Sequence, residues 1–145
     1  MTLSDRQNLI GMTRIEMQSF FASLGVREFH ARQVLQWIYQ RGINDFSQMT
    51  DLSKILRDKL QRFVHVTVPK TVAVHQSSDS TRKWLLRVED GNGIETVFIP
   101  EEDRGTLCVS VQVGCSLNCT FCVTGKQGFS RNLTTAEIIG QLLTV

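Results

Sequence analysis

Long apolar runs are missing from this chain. Nothing in its 145 residues approaches the roughly 18 consecutive apolar positions of a membrane helix, and the N-terminus MTLSDRQNLI lacks the charged start and apolar stretch of a secretory signal. These absences lead to the expectation of a cytoplasmic protein with no membrane association. Proline occurs only twice, at Pro69 and Pro100, and the sequence pattern changes at both. No internal repeat or low-complexity segment is present. Charge of either sign is in no large excess, with 16 Lys and Arg against 14 Asp and Glu. Such a balance permits a polyanionic partner without demanding one. Its distribution is uneven: residues 1–70 carry ten basic against six acidic residues, 71–103 three against seven, and 104–145 three against one. The basic front suits either a nucleic-acid footprint or an ordinary solvated helical surface.

The front half reads as helices. Thr13 and Glu16 form a capping box ahead of Ile15, Met17, Phe20, Phe21 and Leu24, and Gly25 stands where a C-terminal cap belongs. Apolar residues Phe29, Val34, Leu35, Trp37 and Ile38 recur at helical spacing up to Gly42, and a third helix is predicted near Leu52 to Phe63. Trp37 and Phe20 read as packing residues, because aromatics at helical spacing are usually core. After Pro69 the period becomes two. Strands are predicted over Thr71–Gln76, Lys83–Val88 and Ile94–Ile99, the last two joined as a hairpin by Glu89-Asp90-Gly91-Asn92-Gly93. A further strand is predicted over Thr106–Val113, then a cysteine and glycine loop, then a helix opened by Thr134 and Glu137. Strand, loop and helix make the opening unit of an α/β fold, and such a sheet needs several units to be covered on both sides. The sequence is therefore expected to be an N-terminal piece.

Of four cysteines, three fall within eight residues, in Gly114-Cys115-Ser116-Leu117-Asn118-Cys119-Thr120-Phe121-Cys122. Tight spacing of this kind signals metal binding or catalysis better than a disulfide framework. Three thiolates on a short loop suit one face of an iron–sulfur cubane, leaving a fourth iron open to a ligand. Gly114, Gly125 and Gly128 would allow close backbone approach to such a cluster. The alternative is a zinc site completed by Cys108 or His75, although zinc sites usually show two separated C-x-x-C pairs. Cys108 shares the more polar face of its predicted strand with Thr106, Ser110 and Gln112, opposite Leu107, Val109, Val111 and Val113. That face favours a reactive thiol over an inert one. Glu95, from the residues alone, reads as an exposed strand carboxylate. Arg82 and Lys83 beside Trp84 suit either RNA contact or a solvated hairpin.

The spacing C-x-x-x-C-x-F-C resembles the signature of the radical S-adenosylmethionine superfamily. More narrowly, the segments at 94–100, 106–115 and 121–134, with W-I-Y at 37–39 and S-S-D-S-T-R-K-W-L at 77–85, resemble the bacterial adenine-C2 methyltransferases of 23S ribosomal RNA and transfer RNA. The resemblance implies that Cys115, Cys119 and Cys122 ligate a 4Fe-4S cluster whose open iron takes S-adenosylmethionine, with Phe121 packing beside the adenine of that cofactor. It further implies that Glu95 accepts a proton from the target adenine. Cys108 would resolve a covalent protein–RNA intermediate through a disulfide with a methyl-carrying cysteine beyond residue 145. A reductant such as flavodoxin or ferredoxin, a monomeric state at full length and no activity for this chain alone are implied as well. The implied architecture is an α+β N-terminal region, helical bundle plus β-hairpin, followed by the first strand-loop-helix unit of an α/β partial barrel. Its divisions would be a helical RNA-binding domain over 1–70, a hairpin accessory region over 71–100, and the start of the radical core over 101–145. Two other readings stay open: a zinc-stabilised RNA-binding module without catalysis, and an adenine-C8 methyltransferase relative.

Overall fold

The structure is a computed structural model describing residues 6–117 and 128–145. The chain divides into two compact units, Met1–Thr67 and Val68–Val145.

In the first unit a two-residue strand β1, Gln7–Asn8, precedes helix α1, Arg14–Ser23. The expected capping box is present: the Thr13 hydroxyl accepts from Glu16 N while Glu16 Oε2 accepts from Thr13 N at 2.7 Å. At the other end Gly25, with φ +67°, donates to Ala22 O, and Val26 donates to Phe21 O. That pair of bonds is a Schellman cap, and the left-handed residue at its centre is why a glycine stands there. Helix α2, Phe29–Tyr39, follows, then a 3-10 turn at Phe46–Gln48 and helix α3, Lys54–Phe63, capped by the Ser53 hydroxyl. Strand β2, Val64–His65, pairs in parallel with β1. Two residues are too few for a period, so this pair leaves no trace in the sequence pattern. The core holds Leu9, Met17, Phe21, Val34, Ile38, Met49, Leu52 and Leu60, all essentially inaccessible. Trp37 is buried as expected, its Nε1 donating to Asp51 at 2.5 Å and its ring faced by the Arg41 guanidinium at 3.9 Å. Ile15 and Phe29, read with the apolar sets, are exposed instead.

The second unit carries strands β3 (Lys70–Gln76), β4 (Arg82–Arg87), β5 (Gly93–Pro100) and β6 (Gly105–Cys108) in one antiparallel sheet, in that order. All three predicted strands and the β4–β5 hairpin occur. Two expectations need correction. The predicted single strand over Thr106–Val113 is broken: β6 ends at Cys108, and β7, Gln112–Gly114, belongs to a separate two-stranded sheet with β8, Phe129–Asn132. The expected strand-loop-helix unit is therefore β7, loop, β8 and helix α4, Thr135–Thr144. Strand β8 reads Phe-Ser-Arg-Asn and lies mostly exposed, so it has no apolar alternation to detect. Strand β5 runs through Pro100 and pairs with β6 from Val97↔Cys108 to Pro100↔Gly105.

One face of the four-stranded sheet is covered and the other open. Trp84, Leu86 and Ile94 point inward with Val88, Val113 and Leu133, and Phe98 and Ile138 pack against this cluster. Burying such side chains contributes about 1.5–3 kcal/mol each. The intervening residues Lys83, Leu85, Glu95 and Ile99 are exposed, as the two-residue period requires.

Candidate active site

The open sheet face brings two predicted residues together. Glu95 sits opposite Leu85 on β4, and Cys108 sits opposite Val97, two positions further along β5. Glu95 and Cys108 are thus diagonal neighbours on one face, a relation that places residues roughly 7–8 Å apart. Both are exposed, and Cys108 is a free thiol. Lys83 reaches Glu95 Oε1 at 3.1 Å, with both side chains about half exposed, 48% and 50%. A pair this solvated contributes at most about 1 kcal/mol, so the carboxylate is held without being locked.

The polar-face reading of Cys108 holds as far as Thr106, which lies opposite Ile99, and fails beyond Cys108, where the strand ends. Val111, expected inside with Leu107, is 56% exposed. The physical reason is Gln141. Its side-chain amide, with no exposure at all, takes the place of a neighbouring strand for Ser110: Nε2 donates to Ser110 O at 2.8 Å and Oε1 accepts from Ser110 N at 2.9 Å. Ser110 Oγ in turn donates to the Glu95 carbonyl at 2.7 Å. Pinned to α4, residue 110 leaves the sheet, and the chain enters β7 with a new phase. Sequence reading passed over Gln141; the signal was its place three residues after Ile138, a polar side chain on an inward helical stripe.

Strands β7 and β8 form the neck of the cysteine loop. Gly114, at φ +72°, lies so near Gly128 that a Cβ on it would overlap the Gly128 carbonyl oxygen, and Cys115 N donates to that same oxygen at 3.1 Å. These two glycines, expected to approach a cluster, approach each other. Cys115 is half-buried just past the neck, and Leu117 N donates to its Sγ at 3.5 Å. Backbone donors of this kind orient a sulfur ligand. Cys119, Phe121, Cys122 and Gly125 lie outside the described residues. Among the described residues no group of three metal-ligating side chains occurs. For the zinc alternative, His75, Lys83, Val97 and Cys108 occupy one cross-strand row. Three strand spacings, roughly 14 Å, therefore separate His75 from Cys108, and one ion cannot take both.

Behind the neck, Arg131 of β8 joins three elements. Its Nε meets Asp90 Oδ2 of the β4–β5 turn at 2.6 Å, and its two terminal nitrogens take both Glu137 oxygens of α4 at 2.8 Å. The guanidinium holds the Asp90 carboxyl down at about 2 and the Glu137 carboxyl below its ordinary value. Glu137 also closes the expected capping box with Thr134.

In the first unit, Arg27, His30 and Lys59 line an open groove of about 230 Å³ with Ile55 and the start of α3. Among the described residues no helix is long and apolar enough to cross a membrane.

Residues 7–66 match the family described as the ribosomal RNA large subunit methyltransferase N-terminal domain. The chain is 54% identical over 139 residues to the dual-specificity RNA methyltransferase RlmN of Marinobacter nauticus, covering 96% of this chain and 38% of that protein. It is 58% identical over 135 residues to the RlmN of Saccharophagus degradans, covering 93% and 34%. The chain matches the N-terminal portion of the RlmN methyltransferases. It spans little more than a third of the length of those relatives. The fold is similar to that of a radical SAM methyltransferase from Sphaerobacter thermophilus, with TM-score 0.87 and 40% identity over 94% of this chain and 40% of that one. Among the described residues, β3–β8 and α4 form a mixed α/β region.

Proposed function

We propose that this chain is the N-terminal part of a radical S-adenosylmethionine methyltransferase that modifies C2 of an adenine in 23S ribosomal RNA and transfer RNA. The observation that carries the reading is the single open sheet face holding Glu95 and Cys108, followed within seven residues by the neck that presents Cys115. Cys115, Cys119 and Cys122 would hold the cluster, and the donor set fits: three soft thiolates, one already receiving a backbone N–H. When bound with S-adenosylmethionine, that group supplies the radical reactivity an unactivated aromatic carbon requires. Phe121 would flank the adenine of that cofactor.

The residues of this chain have the remaining tasks. Glu95 carries an accessible carboxylate to receive a proton from the target base. Lys83 holds it in place while unoccupied and gives way when a base arrives. Cys108 offers an exposed thiol beside it for release of product. Arg27 and Lys59 in the groove provide cations for RNA phosphates, whose contacts position a substrate without reading its sequence. A flavodoxin or ferredoxin would serve as reductant, and the full-length enzyme would act as a monomer. In this scheme residues 1–70 bind RNA, 71–100 supply the Glu95 hairpin and 101–145 begin the radical core.

Anaerobic reconstitution of the chain, with iron and sulfide counting, tests the reading. Four irons and four sulfides per chain, with an electron paramagnetic resonance signal that S-adenosylmethionine perturbs, are expected, and Cys115→Ala abolishes both. Oxygen-free material that carries zinc without sulfide overturns it.

A further inference from the structure

Helix α4 buries a residue its composition hides. Between Ile138 and Leu142, Gln141 has no solvent exposure, while Leu142 beside it is 51% exposed. A polar side chain in such a place is costly unless every donor and acceptor is satisfied, and here all are. Oε1 accepts from Thr96 Oγ1 at 2.7 Å and from Ser110 N at 2.9 Å. Nε2 donates to Ser110 O at 2.8 Å and to Glu137 O at 3.3 Å. Thr96, also a fully buried polar residue, adjoins Glu95 in the chain, and Ser110 lies two residues from Cys108.

We infer that Gln141 is a positioning residue: one buried amide that ties the strand of Glu95 to the segment following Cys108 and so sets the placement of one reactive side chain against the other. The inference rests on the proposed roles of Glu95 and Cys108. A leucine would fill the same volume and pack as well or better in an apolar helix, yet it would leave Ser110 N, Ser110 O and the Thr96 hydroxyl without partners. Simple core packing therefore does not account for a glutamine. The Ser110 backbone, having left the sheet, has no strand partner in this network to replace the amide, and Ser110 Oγ is committed to Glu95 O. The hub thus acts on Cys108 through two residues of backbone and on Glu95 through one.

The test is the alkylation rate of Cys108 by iodoacetamide in the 145-residue chain, read peptide by peptide by mass spectrometry and normalised to the rate in guanidinium. Cys108 is already exposed, so a loss of global stability that leaves the chain folded does not open it further, whereas loss of placement does. In the wild-type chain the rate is expected to differ from the unfolded reference, and in Gln141→Leu to move several-fold toward it. Thr96→Val should move it in the same direction by less, and Thr96→Ser, which keeps the hydroxyl, should restore it. Unchanged Cys108 rates in folded Gln141→Leu, with only the melting temperature lowered, would reduce Gln141 to a stabilising residue and overturn the inference. Should Gln141→Leu not fold, an unchanged rate in Thr96→Val overturns it equally. A wild-type rate equal to the unfolded reference does so as well. Failure to take up iron and sulfide, by contrast, sinks the methyltransferase reading and leaves the Cys108 result standing.

Discussion

At the residue scale, Gly114 and Gly91, two of the second unit's glycines with positive φ, differ in what surrounds them. Gly114 faces backbone that has nowhere to go, and Gly91 faces open space. Gly114→Ala is expected to cost about 2 kcal/mol or more, from left-handed strain plus a clash that only opening the neck relieves. Gly91→Ala bears the strain alone, about 1 kcal/mol. Thermal melts of both variants, with iron content after reconstitution, check this: the Gly114 variant should lose iron as well as stability. Equal effects in the two would remove the neck from the argument. The sheet faces allow a similar comparison of neighbours. Leu86 is fully buried and Leu85 is 36% exposed. Leu86→Ala should cost about 2–5 kcal/mol and Leu85→Ala well under half of that. Denaturant titration decides, and a reversed order would mean that the strand sits one residue out of register.

At the scale of elements, the Arg131 junction makes the second unit sensitive to acid. Asp90 and Glu137 have folded values below their ordinary ones, first of all through hydrogen bonds from Arg131. A carboxylate depressed on folding adds stability that is complete above its unfolded value, near 4, and is lost as pH falls through the folded one. For Asp90 that loss runs from about pH 4 down to about 2. Arg131→Met should therefore lower the melting temperature at neutral pH, and the gap to wild type should narrow steadily below pH 4. A gap that stays constant between pH 7 and pH 2.5 would show that the junction contributes packing alone. Elements also mark how far pattern reading reaches. The capping boxes at Thr13 and Thr134, the Gly25 cap and the β4–β5 hairpin are local arrangements, each written in four or five adjacent residues, and all were legible. The break after Cys108 was not, because the alternation of Leu107, Val109, Val111 and Val113 is a valid strand pattern. It is interrupted by a side chain 31 residues away.

For the whole molecule, charge is the property that matters most. The excess of basic residues in the first unit meets a groove lined by Arg27, His30 and Lys59. Binding of a structured RNA to the chain is expected to weaken with salt, the logarithm of affinity falling by roughly 0.7–0.9 per decade for each phosphate neutralised. The double variant Arg27→Glu, Lys59→Glu should weaken binding and reduce that slope by about two of those increments. Fluorescence anisotropy at several salt concentrations measures both, and an unaltered slope would move the footprint away from this groove.

What the amino-acid order determined unaided was the local chemistry. Three cysteines within eight residues, helix ends marked by caps, and strands of period two follow from neighbours in the chain, where spacing alone decides which groups meet. Tertiary structure decided which of these residues act together. Glu95 and Cys108 become diagonal neighbours only through the pairing of β5 with β6, and Ser110 leaves the sheet only because a buried glutamine satisfies its backbone. Hydrogen-bond partners far apart in sequence leave no periodic signal, and burial of a polar group is settled by what surrounds it in space.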